Sequence, residues 1–166
     1  MQFEFVKIHP DAITPQRGTP NSAAYDLFSI EEKQILPQTA VSFSTGIKIS
    51  IADGYAGIVY SRSGLSFKYN IERGAGLIDS DYLGEIKCIL YNHHKTESKL
   101  ITKGERICQI AFQKVEFPEL IQVKDFSEKI KEMKATRGEN GFGSTGTHSI
   151  KKKQKMTIKK QNIKNE

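Results

Sequence analysis

Residues 41–54, VSFSTGIKISIADG, carry the pattern that decides the fold. Apolar side chains occupy alternate positions on both sides of Thr45-Gly46, at Val41, Phe43, Ile47, Ile49 and Ile51. A period of two is typical of a β-strand with one buried face, and the following Ala52-Asp53-Gly54 is a turn signal. The stretch therefore predicts short strands that end in a tight turn.

The same pattern of short apolar runs extends in both directions from this stretch. Short apolar or alternating runs recur at residues 3–8, 58–60, 86–90 and 107–112. Turn signals separate the runs at intervals of about 8–12 residues, which is typical of an antiparallel barrel or sandwich. Helical periodicity is scarce, and its two candidates are residues 63–69 and 127–134. We therefore predict an all-β domain whose body contains one short helix.

The composition narrows the class of protein. The chain has 166 residues and 37% hydrophobic side chains, enough for one domain with a real core and too many for a fully disordered chain. It has no apolar run near the ~18 residues that span a bilayer, and no secretory signal is expected at MQFEFVK (residues 1–7). Cys88 and Cys108 form no CxxC motif, so neither a disulfide framework nor a zinc knuckle is expected. We expect an intracellular protein, cytoplasmic or nuclear, with no membrane association.

The net charge of +6 is confined to the C-terminal end. Residues 149–166 contain seven lysines and one acidic residue, Glu166, whereas residues 1–148 contain 18 basic and 18 acidic residues. The neutral body therefore has no global basic character that would mark it as a nucleic-acid-binding protein. We predict a domain over residues 1–148 and a disordered Lys-rich tail over residues 149–166. The tail cluster KKKQK leaves three roles open: a nuclear-import signal, a weak contact with polyanions, or a plain solvated tail.

The residue composition changes after Phe117-Pro118. Residues 119–136 are mostly charged, and RGENGFGSTG (residues 137–146) has four glycines in ten positions. Backbone N–H groups of such a loop can cradle phosphate, although no Gly-Lys-Ser/Thr follows and the loop is not a P-loop. The segment cannot form much core by itself, so it is either mobile or packed on another surface.

Two segments combine glycine with polar side chains beside a strand. In SRSGL (residues 61–65), Arg62 can pair with a phosphate or with a core carboxylate, and an ordinary turn with a capping serine is the alternative. In GERICQI (residues 104–110), Glu105 and Arg106 are expected to serve a turn. The Gln109 amide lies on an otherwise apolar strand and must find a hydrogen-bonding partner.

A third segment, GAGLIDSDYLG (residues 74–84), carries two carboxylates two positions apart. On a strand, Asp79 and Asp81 would share a face, and like charges so placed suit one carboxylate to base catalysis. The competing interpretation is a β-turn.

Taken together, five motifs in this order resemble those of the homotrimeric dUTPase family, the deoxyuridine triphosphate nucleotidohydrolases. The motifs are AAYDLFS (23–29), SRSGL (61–65), GLIDSDYLG (76–84), GERICQ (104–109) and RGENGFGSTG (137–146). The resemblance covers residues 3–147. Its departures are mild: Ala24 stands at a usual glycine, Ser61 replaces a usual proline, and Glu139 and Asn140 replace smaller residues.

The resemblance implies a β jelly roll that assembles as a homotrimer. In this family each active site lies at a subunit interface, with the first, second and fourth motifs from one chain and the third from a neighbour. The third chain supplies the fifth motif on a C-terminal arm, here residues 119–148, which is exchanged between subunits. The implied reaction hydrolyses dUTP to dUMP and pyrophosphate, which removes dUTP from the nucleotide pool and supplies dUMP.

The resemblance also implies roles for single residues. Asp79 is expected to activate a water for in-line attack on the α-phosphorus. The residues expected to bind the phosphates are Arg62, Ser63, Gly64, Gln109, Arg137, Gly143, Ser144 and Thr145. Mg²⁺ is the expected cofactor, bridging the three phosphates, and Asp26 is expected to reach it through a water.

Substrate selectivity is expected to come from a hairpin over residues 76–87. It would read uracil through backbone groups, and the residues assigned to this pocket are Gly76, Leu77, Ile78 and Lys87. Tyr82 would pack against the deoxyribose and leave no room for a ribose 2′-hydroxyl, and Phe142 would stack on the base.

Two other interpretations stay open from the sequence. A dCTP deaminase shares the fold, but it needs a buried general-base glutamate where this chain has Asp79 with Tyr82. A binding or regulatory protein on the same scaffold is supported only by the Lys-rich tail.

Overall fold

The computed structural model describes residues 2–134 and residue 140. The chain divides into two compact units, Met1–Glu119 and Leu120–Glu166. The described part of the first unit contains one helix, α1 (Ser63–Tyr69), among short strands. In chain order the strands are β1 (Glu4–Lys7), β2 (Tyr25–Phe28), β3 (Lys33–Ile35), β4 (Ala40–Ser44), β5 (Ile47–Ser50), β6 (Tyr55–Tyr60), β7 (Ile71–Gly74), β8 (Leu77–Ile78), β9 (Lys87–Asn92), β10 (Lys99–Ile101) and β11 (Arg106–Lys114).

The strands form antiparallel sheets. The largest has the order β2-β11-β6-β8, and a second has the order β4-β9-β7. The remaining pairs are β1 with β5 and β10 with β3. This arrangement confirms the predicted all-β class with antiparallel strands.

The stretch at residues 41–54 divides between two sheets at Thr45-Gly46. β4 pairs with β9, whereas β5 pairs with β1. Thr45 is buried, and its hydroxyl donates to the Ile86 carbonyl at 2.6 Å. Gly46 has a φ of +67°, and a Cβ there would lie 2.8 Å from that of Ala12. Glycine is therefore needed where the chain passes from one sheet to the other.

One hydrophobic core packs the strands of the first unit together. Its largest fully buried apolar side chains are Leu27, Ile35, Phe43, Ile47, Ile71, Ile86, Leu90, Ile101, Ile107 and Ile110. Cys88 and Cys108 are buried in this core as free thiols. A hydrogen bond with Cys88, together with burial, raises the pKa of the Cys108 thiol well above its ordinary value.

Both helices that the sequence predicts are present. α1 has the predicted bounds, and the Asn70 cap that follows it adopts the left-handed conformation that asparagine tolerates. In the second unit, α2 (Ser127–Glu132) begins at the predicted residue, ends two positions early and buries none of its residues. Within the described residues, no helix has the length and apolar character needed to cross a membrane.

Several predictions concern residues outside the described part. These are the glycine-rich segment, apart from Asn140, and the Lys-rich tail. The roles expected of Arg137, Phe142, Gly143, Ser144 and Thr145 therefore stay predictions.

Candidate active site

Three charged side chains form an ion-pair cluster at the ends of β2, β6 and β11. This cluster, the clamp, consists of Asp26, Arg62 and Arg106. Arg62 Nε donates to Asp26 Oδ1 at 3.0 Å, and Arg106 Nε lies 3.1 Å from Asp26 Oδ2. Only 16% of the Asp26 side chain is exposed, so the pairs are partly shielded from water and stronger than pairs on an open surface. Both carboxylate oxygens are engaged by arginines of the same chain.

A further contact orients Arg62. Its Nη1 donates to the Arg106 carbonyl at 3.3 Å, and its own backbone is extended immediately before α1. The sequence left open whether Arg62 pairs with a phosphate or with a carboxylate. Within the chain it pairs with the carboxylate of Asp26.

Hydrogen bonds tie β11, β6 and β7 together beside the clamp. Gln109 Nε2 donates to the Ser61 carbonyl at 2.9 Å, so the amide has the partner that its apolar strand required. The Ser61 hydroxyl donates to Glu72 Oε2 at 2.9 Å and accepts the Arg73 N–H at 3.0 Å. These bonds hold the residue that precedes Arg62 and therefore fix the base of the SRSGL loop.

The clamp borders a cleft of about 190 Å³. Its lining residues are Gly18, Ser22, Ala24, Asp26, Arg62, Ser63 and Gln109. The first, second and fourth motifs therefore meet at one place in the fold. A Cβ on Gly64 would meet no atom within 4 Å, so the loop backbone is open to a ligand at that position.

The segment of residues 76–87 is not a hairpin, which corrects the prediction. β8 pairs with β6 at the edge of the four-stranded sheet, whereas β9 pairs with β4 and β7. The reason lies at Gly76, whose φ of +115° turns the chain onto β6. A Cβ there would lie 3.0 Å from the Val59 carbonyl oxygen, and the Val59 N–H donates to the Gly76 carbonyl at 2.8 Å. Only glycine permits this close approach of two backbones.

Asp79 opens a β-turn within this segment. The Tyr82 N–H donates to the Asp79 carbonyl at 3.2 Å, so residues 79–82 turn instead of extending. The turn interpretation is confirmed, and a shared strand face for Asp79 and Asp81 is wrong. Within residues 2–134 and 140, neither carboxylate has a hydrogen-bonding or ion-pair partner.

Asp79 also lines a cleft that differs from the one at the clamp. This second cleft has a volume of about 530 Å³ and is lined by Asp53, Tyr55, Ala56, Asp79, Ser80, Asp81, Val115 and Phe117. The structure thus brings together the polar residues of the first, second and fourth motifs, and it places the carboxylate of the third motif elsewhere on the same chain.

Tyr82 and Lys87 both contact Glu85, the first through a hydrogen bond and the second through an ion pair. The Tyr82 hydroxyl donates to the Glu85 carbonyl at 2.9 Å, and Lys87 Nζ lies 3.9 Å from Glu85 Oε2. Glu85 Oε1 accepts the Gly46 N–H at 2.8 Å, which fixes this end of the segment to the connection between β4 and β5. Tyr82 is 44% exposed, so one side of its ring borders open space.

A family model described as dUTPase matches residues 11–146 of the chain. The chain belongs to the dUTPase family. One relative is the deoxyuridine 5′-triphosphate nucleotidohydrolase of Fowlpox virus, which is 41% identical over 141 residues. That alignment covers 84% of this chain and 94% of the viral protein.

Solved dUTPase structures share the fold. A point mutant of the Staphylococcus bacteriophage 80alpha dUTPase, with dUpNHpp, matches with a TM-score of 0.79 and 30% identity over 88% of this chain and 99% of the phage chain. A point-mutant dUTPase from phage phi11 of S. aureus, whose structure describes the coordination of a structural Mg(II) ion, matches with a TM-score of 0.70 and 25% identity over 76% and 99% of the two chains. The predicted jelly roll is confirmed by these neighbours.

This dUTPase is a dUTP diphosphatase: it hydrolyses dUTP to dUMP and pyrophosphate. The activity that the five motifs implied is therefore confirmed.

The donor groups at the clamp are compatible with a magnesium ion held mainly by phosphates of a nucleotide. In the described residues, no group of three or more His, Cys, Asp or Glu side chains is arranged to hold a metal ion. Mg²⁺ keeps several waters and commonly binds through substrate phosphates, so such a group is not needed. Each Asp26 oxygen has a second lone pair beyond its arginine contact, so Asp26 can still accept a hydrogen bond from a metal-bound water.

Arg106 and Ser61 contact residues of the candidate site, and the sequence did not predict these contacts. The sequence suggests a turn for Arg106, because a charged residue at the start of an apolar strand usually faces solvent. The pairing of β11 with β2 shifts register between Arg106 and Cys108, and hydrophobic periodicity does not reveal such an irregularity. The only signal for Ser61 is its departure from the proline of the family motif.

Proposed function

We propose that the chain hydrolyses dUTP at active sites that lie between the subunits of a homotrimer. One observation supports this proposal. Arg62, Ser63 and Gln109 line one cleft, whereas Asp79 lines another cleft of the same chain. A single chain therefore separates the groups suited to hold phosphates from the carboxylate suited to activate water, and a second copy would join them.

In the proposed reaction, Asp79 accepts a proton from a water molecule. The water oxygen attacks the α-phosphorus, and the bond from that phosphorus to the bridging oxygen breaks so that pyrophosphate leaves. The Asp79 carboxylate is suited to this role because, among the described residues, nothing else donates a hydrogen bond to it. Holding water and phosphorus in line supplies much of the remaining acceleration.

The phosphates would be held at the clamp side. Asp26 and the Arg106 carbonyl fix the Arg62 guanidinium, so it meets the phosphates already oriented, which is the basis of electrostatic preorganisation. The other residues assigned to the phosphates are Ser63, Gly64, Gln109, Arg137, Gly143, Ser144 and Thr145. Bound Mg²⁺ would neutralise charge on the three phosphates, with Asp26 facing one of its waters.

The nucleoside would be held at the 76–87 segment. Backbone groups at Gly76, Leu77 and Ile78 would read uracil, with Lys87 at the end of the same segment, and Phe142 would cover the base. Tyr82 would form the wall against the deoxyribose, since a ribose 2′-hydroxyl needs the space of the ring. The arm at residues 119–148 would reach a neighbouring subunit, because its exposed apolar residues, including Leu120 and Ile121, bury little surface within their own unit.

Subunit complementation tests the intersubunit site. Arg62→Ala and Asp79→Asn trimers are each expected to be nearly inactive in pyrophosphate release. When the two variants are unfolded together and reassembled, some sites receive Arg62 from one chain and Asp79 from the other, and activity should return.

The matched control mixes Arg62→Ala with Ser63→Ala. Both defects lie on the same side of the site, so every mixed site keeps one defect. No recovery in the first mixture would place the whole site within one chain and overturn the proposal.

The tail at residues 149–166 is proposed to be a solvated extension of an intracellular enzyme, cytoplasmic or nuclear. The body is not expected to bind nucleic acid, and any weak polyanion contact belongs to the tail. Deletion of residues 149–166 should leave dUTP turnover unchanged. A changed cellular location or a changed salt dependence of polyanion binding would instead give the tail a role of its own.

A further inference from the structure

Gly84 leaves space for the ring of Tyr82. A Cβ built on Gly84 would lie 2.5 Å from Tyr82 Cζ and 2.8 Å from Tyr82 Cε2, far inside normal contact distance. The φ angle of Gly84 lies outside the left-handed region. The backbone at residue 84 therefore has no conformational need for glycine, and what requires the missing side chain is the tyrosine ring that lies over it.

The other restraints on Tyr82 are few. Its hydroxyl donates to the Glu85 carbonyl, and its backbone N–H closes the turn from Asp79. Because almost half of the residue is exposed, surrounding packing does not by itself fix the ring. The ring therefore depends on two local features: the hydrogen bond of its hydroxyl and the absence of a side chain at Gly84.

We infer that Gly84 is a positioning residue for sugar selectivity, acting through Tyr82. This inference rests on the proposed role of Tyr82 as the wall against the deoxyribose. A methyl group at residue 84 would push the phenol end of the ring outward and break its bond to the Glu85 carbonyl. The moving group is the free end of an exposed side chain, so the fold can absorb the change. The effect should therefore fall on selectivity between dUTP and UTP and leave stability largely intact.

Gly84→Ala tests the inference. The measured quantity is the ratio of kcat/KM for dUTP to kcat/KM for UTP, with thermal unfolding recorded in parallel. We expect the ratio to fall roughly tenfold, the scale on which a pocket discriminates small changes in substrate size. The matched control is Gly74→Ala. A Cβ on Gly74 would also overlap a tyrosine ring, at Tyr91 Cε2, and would lie 3.1 Å from Tyr91 Cδ2, but that ring is not part of the proposed sugar wall. The control should keep the ratio of the wild type.

A double-mutant cycle with Tyr82→Ala separates this mechanism from a change in the backbone. Tyr82→Ala alone should lower the dUTP to UTP ratio. Adding Gly84→Ala to it should change nothing further, because the ring that the methyl group would displace is gone. Equal losses from Gly84→Ala with and without Tyr82 would overturn the inference and indicate a backbone effect.

The remaining outcomes distinguish the inference from the proposal on which it rests. If Tyr82→Ala relaxes selectivity and Gly84→Ala does not, the positioning role of Gly84 is wrong and the role of Tyr82 stands. If Tyr82→Ala leaves selectivity unchanged, the sugar-wall proposal is wrong and the inference fails with it.

Discussion

The clamp and the 76–87 segment use their aspartate carboxylates in opposite ways. In the clamp, both oxygens of Asp26 are paired with arginines of the same chain. In the 76–87 segment, the carboxylates of Asp79 and Asp81 have no such partner among the described residues. One region uses its aspartate carboxylate to hold two cations in place, and the other leaves its two aspartate carboxylates available.

This difference separates two requirements of catalysis on a polyanion. Groups that bind phosphate must be oriented beforehand, because ordering them during the reaction costs free energy. A general base must instead have an unoccupied lone pair when the water arrives. Mutations in the two regions should therefore fail differently: at the clamp, stability and binding should fall together, whereas at Asp79 turnover should fall alone.

The largest expected effect is that of Asp79→Asn. Loss of the base should lower kcat by roughly 10²–10⁴-fold, the range typical of general-base catalysis. Unfolding free energy and the affinity for a non-hydrolysable dUTP analogue should change little, because the carboxylate holds no other described part of the chain. Pyrophosphate release, analogue titration and urea unfolding measure the three quantities.

Asp81→Asn, in the same turn, is the control and should keep most activity. Wild-type turnover in Asp79→Asn would rule out the proposed mechanism.

Asp26→Asn is expected to have the next largest effect, and of the opposite kind. A neutral amide leaves two neighbouring arginines without their counter-charge, so unfolding free energy should fall by about 1–3 kcal/mol. The Arg62 guanidinium loses its orientation, and KM for dUTP should rise roughly tenfold, equivalent to about 1.4 kcal/mol of binding. Arg106→Lys is the informative companion variant, since it keeps the charge and loses the fixed geometry of the guanidinium. If Asp26→Asn lowered only kcat and left stability intact, the clamp would not hold the Arg62 guanidinium in place.

The two regions also differ in how far the sequence predicts them. Residues 41–54 predict their strands by period alone, and α1 has the bounds that its pattern indicates, because burial on one face leaves a local signature. The family motifs predict the clamp residues Asp26 and Arg62 as site residues. Their pairing is not predicted, since it depends on how β2 meets β11, a strand far away in the sequence.

The 76–87 segment departs from what the family resemblance implies. The resemblance implies a hairpin, but β8 pairs with β6 because the fold brings that strand alongside. The structural requirement at Gly84 likewise depends on a side chain two positions away and not on its own backbone angles. The contact between residue 84 and the Tyr82 ring forms only in the folded chain. The sequence therefore shows the glycine but not the ring that requires it.

Ser61→Ala makes a finer test of the clamp side. The substitution removes the hydroxyl that bonds to Glu72 and to the Arg73 N–H, and it keeps the carbonyl that accepts from Gln109. Unfolding free energy should fall by about 1 kcal/mol, the usual net contribution of such a bond. KM should rise slightly while kcat holds, because the base of the SRSGL loop loosens. Glu72→Gln is the matched control, because the glutamine side-chain oxygen can still accept a hydrogen bond from the Ser61 hydroxyl. A large loss of kcat with unchanged KM would show that Ser61 acts on chemistry and not on loop position.

Glu31 tests whether a carboxylate with hydrogen-bonding partners outside the site affects stability alone. Its Oε2 accepts from Lys33 Nζ and from the Ser44 N–H, each at 2.8 Å. Burial by itself raises the pKa of Glu31, but these two donors outweigh it, and the pKa lies below its ordinary value. The charged form is therefore favoured in the folded state. Its contribution to the unfolding free energy is present above about pH 5 and is lost as the pH falls through the lowered pKa. Glu31→Gln should cost about 0.5–1 kcal/mol of unfolding free energy at neutral pH, on the scale of a partly exposed ion pair, and the gap from wild type should close in acid. Urea unfolding across pH measures this gap, and dUTP turnover at neutral pH should not change. If turnover fell as it does in Asp26→Asn, loss of general stability would explain both variants, and the clamp would have no special part in binding phosphate.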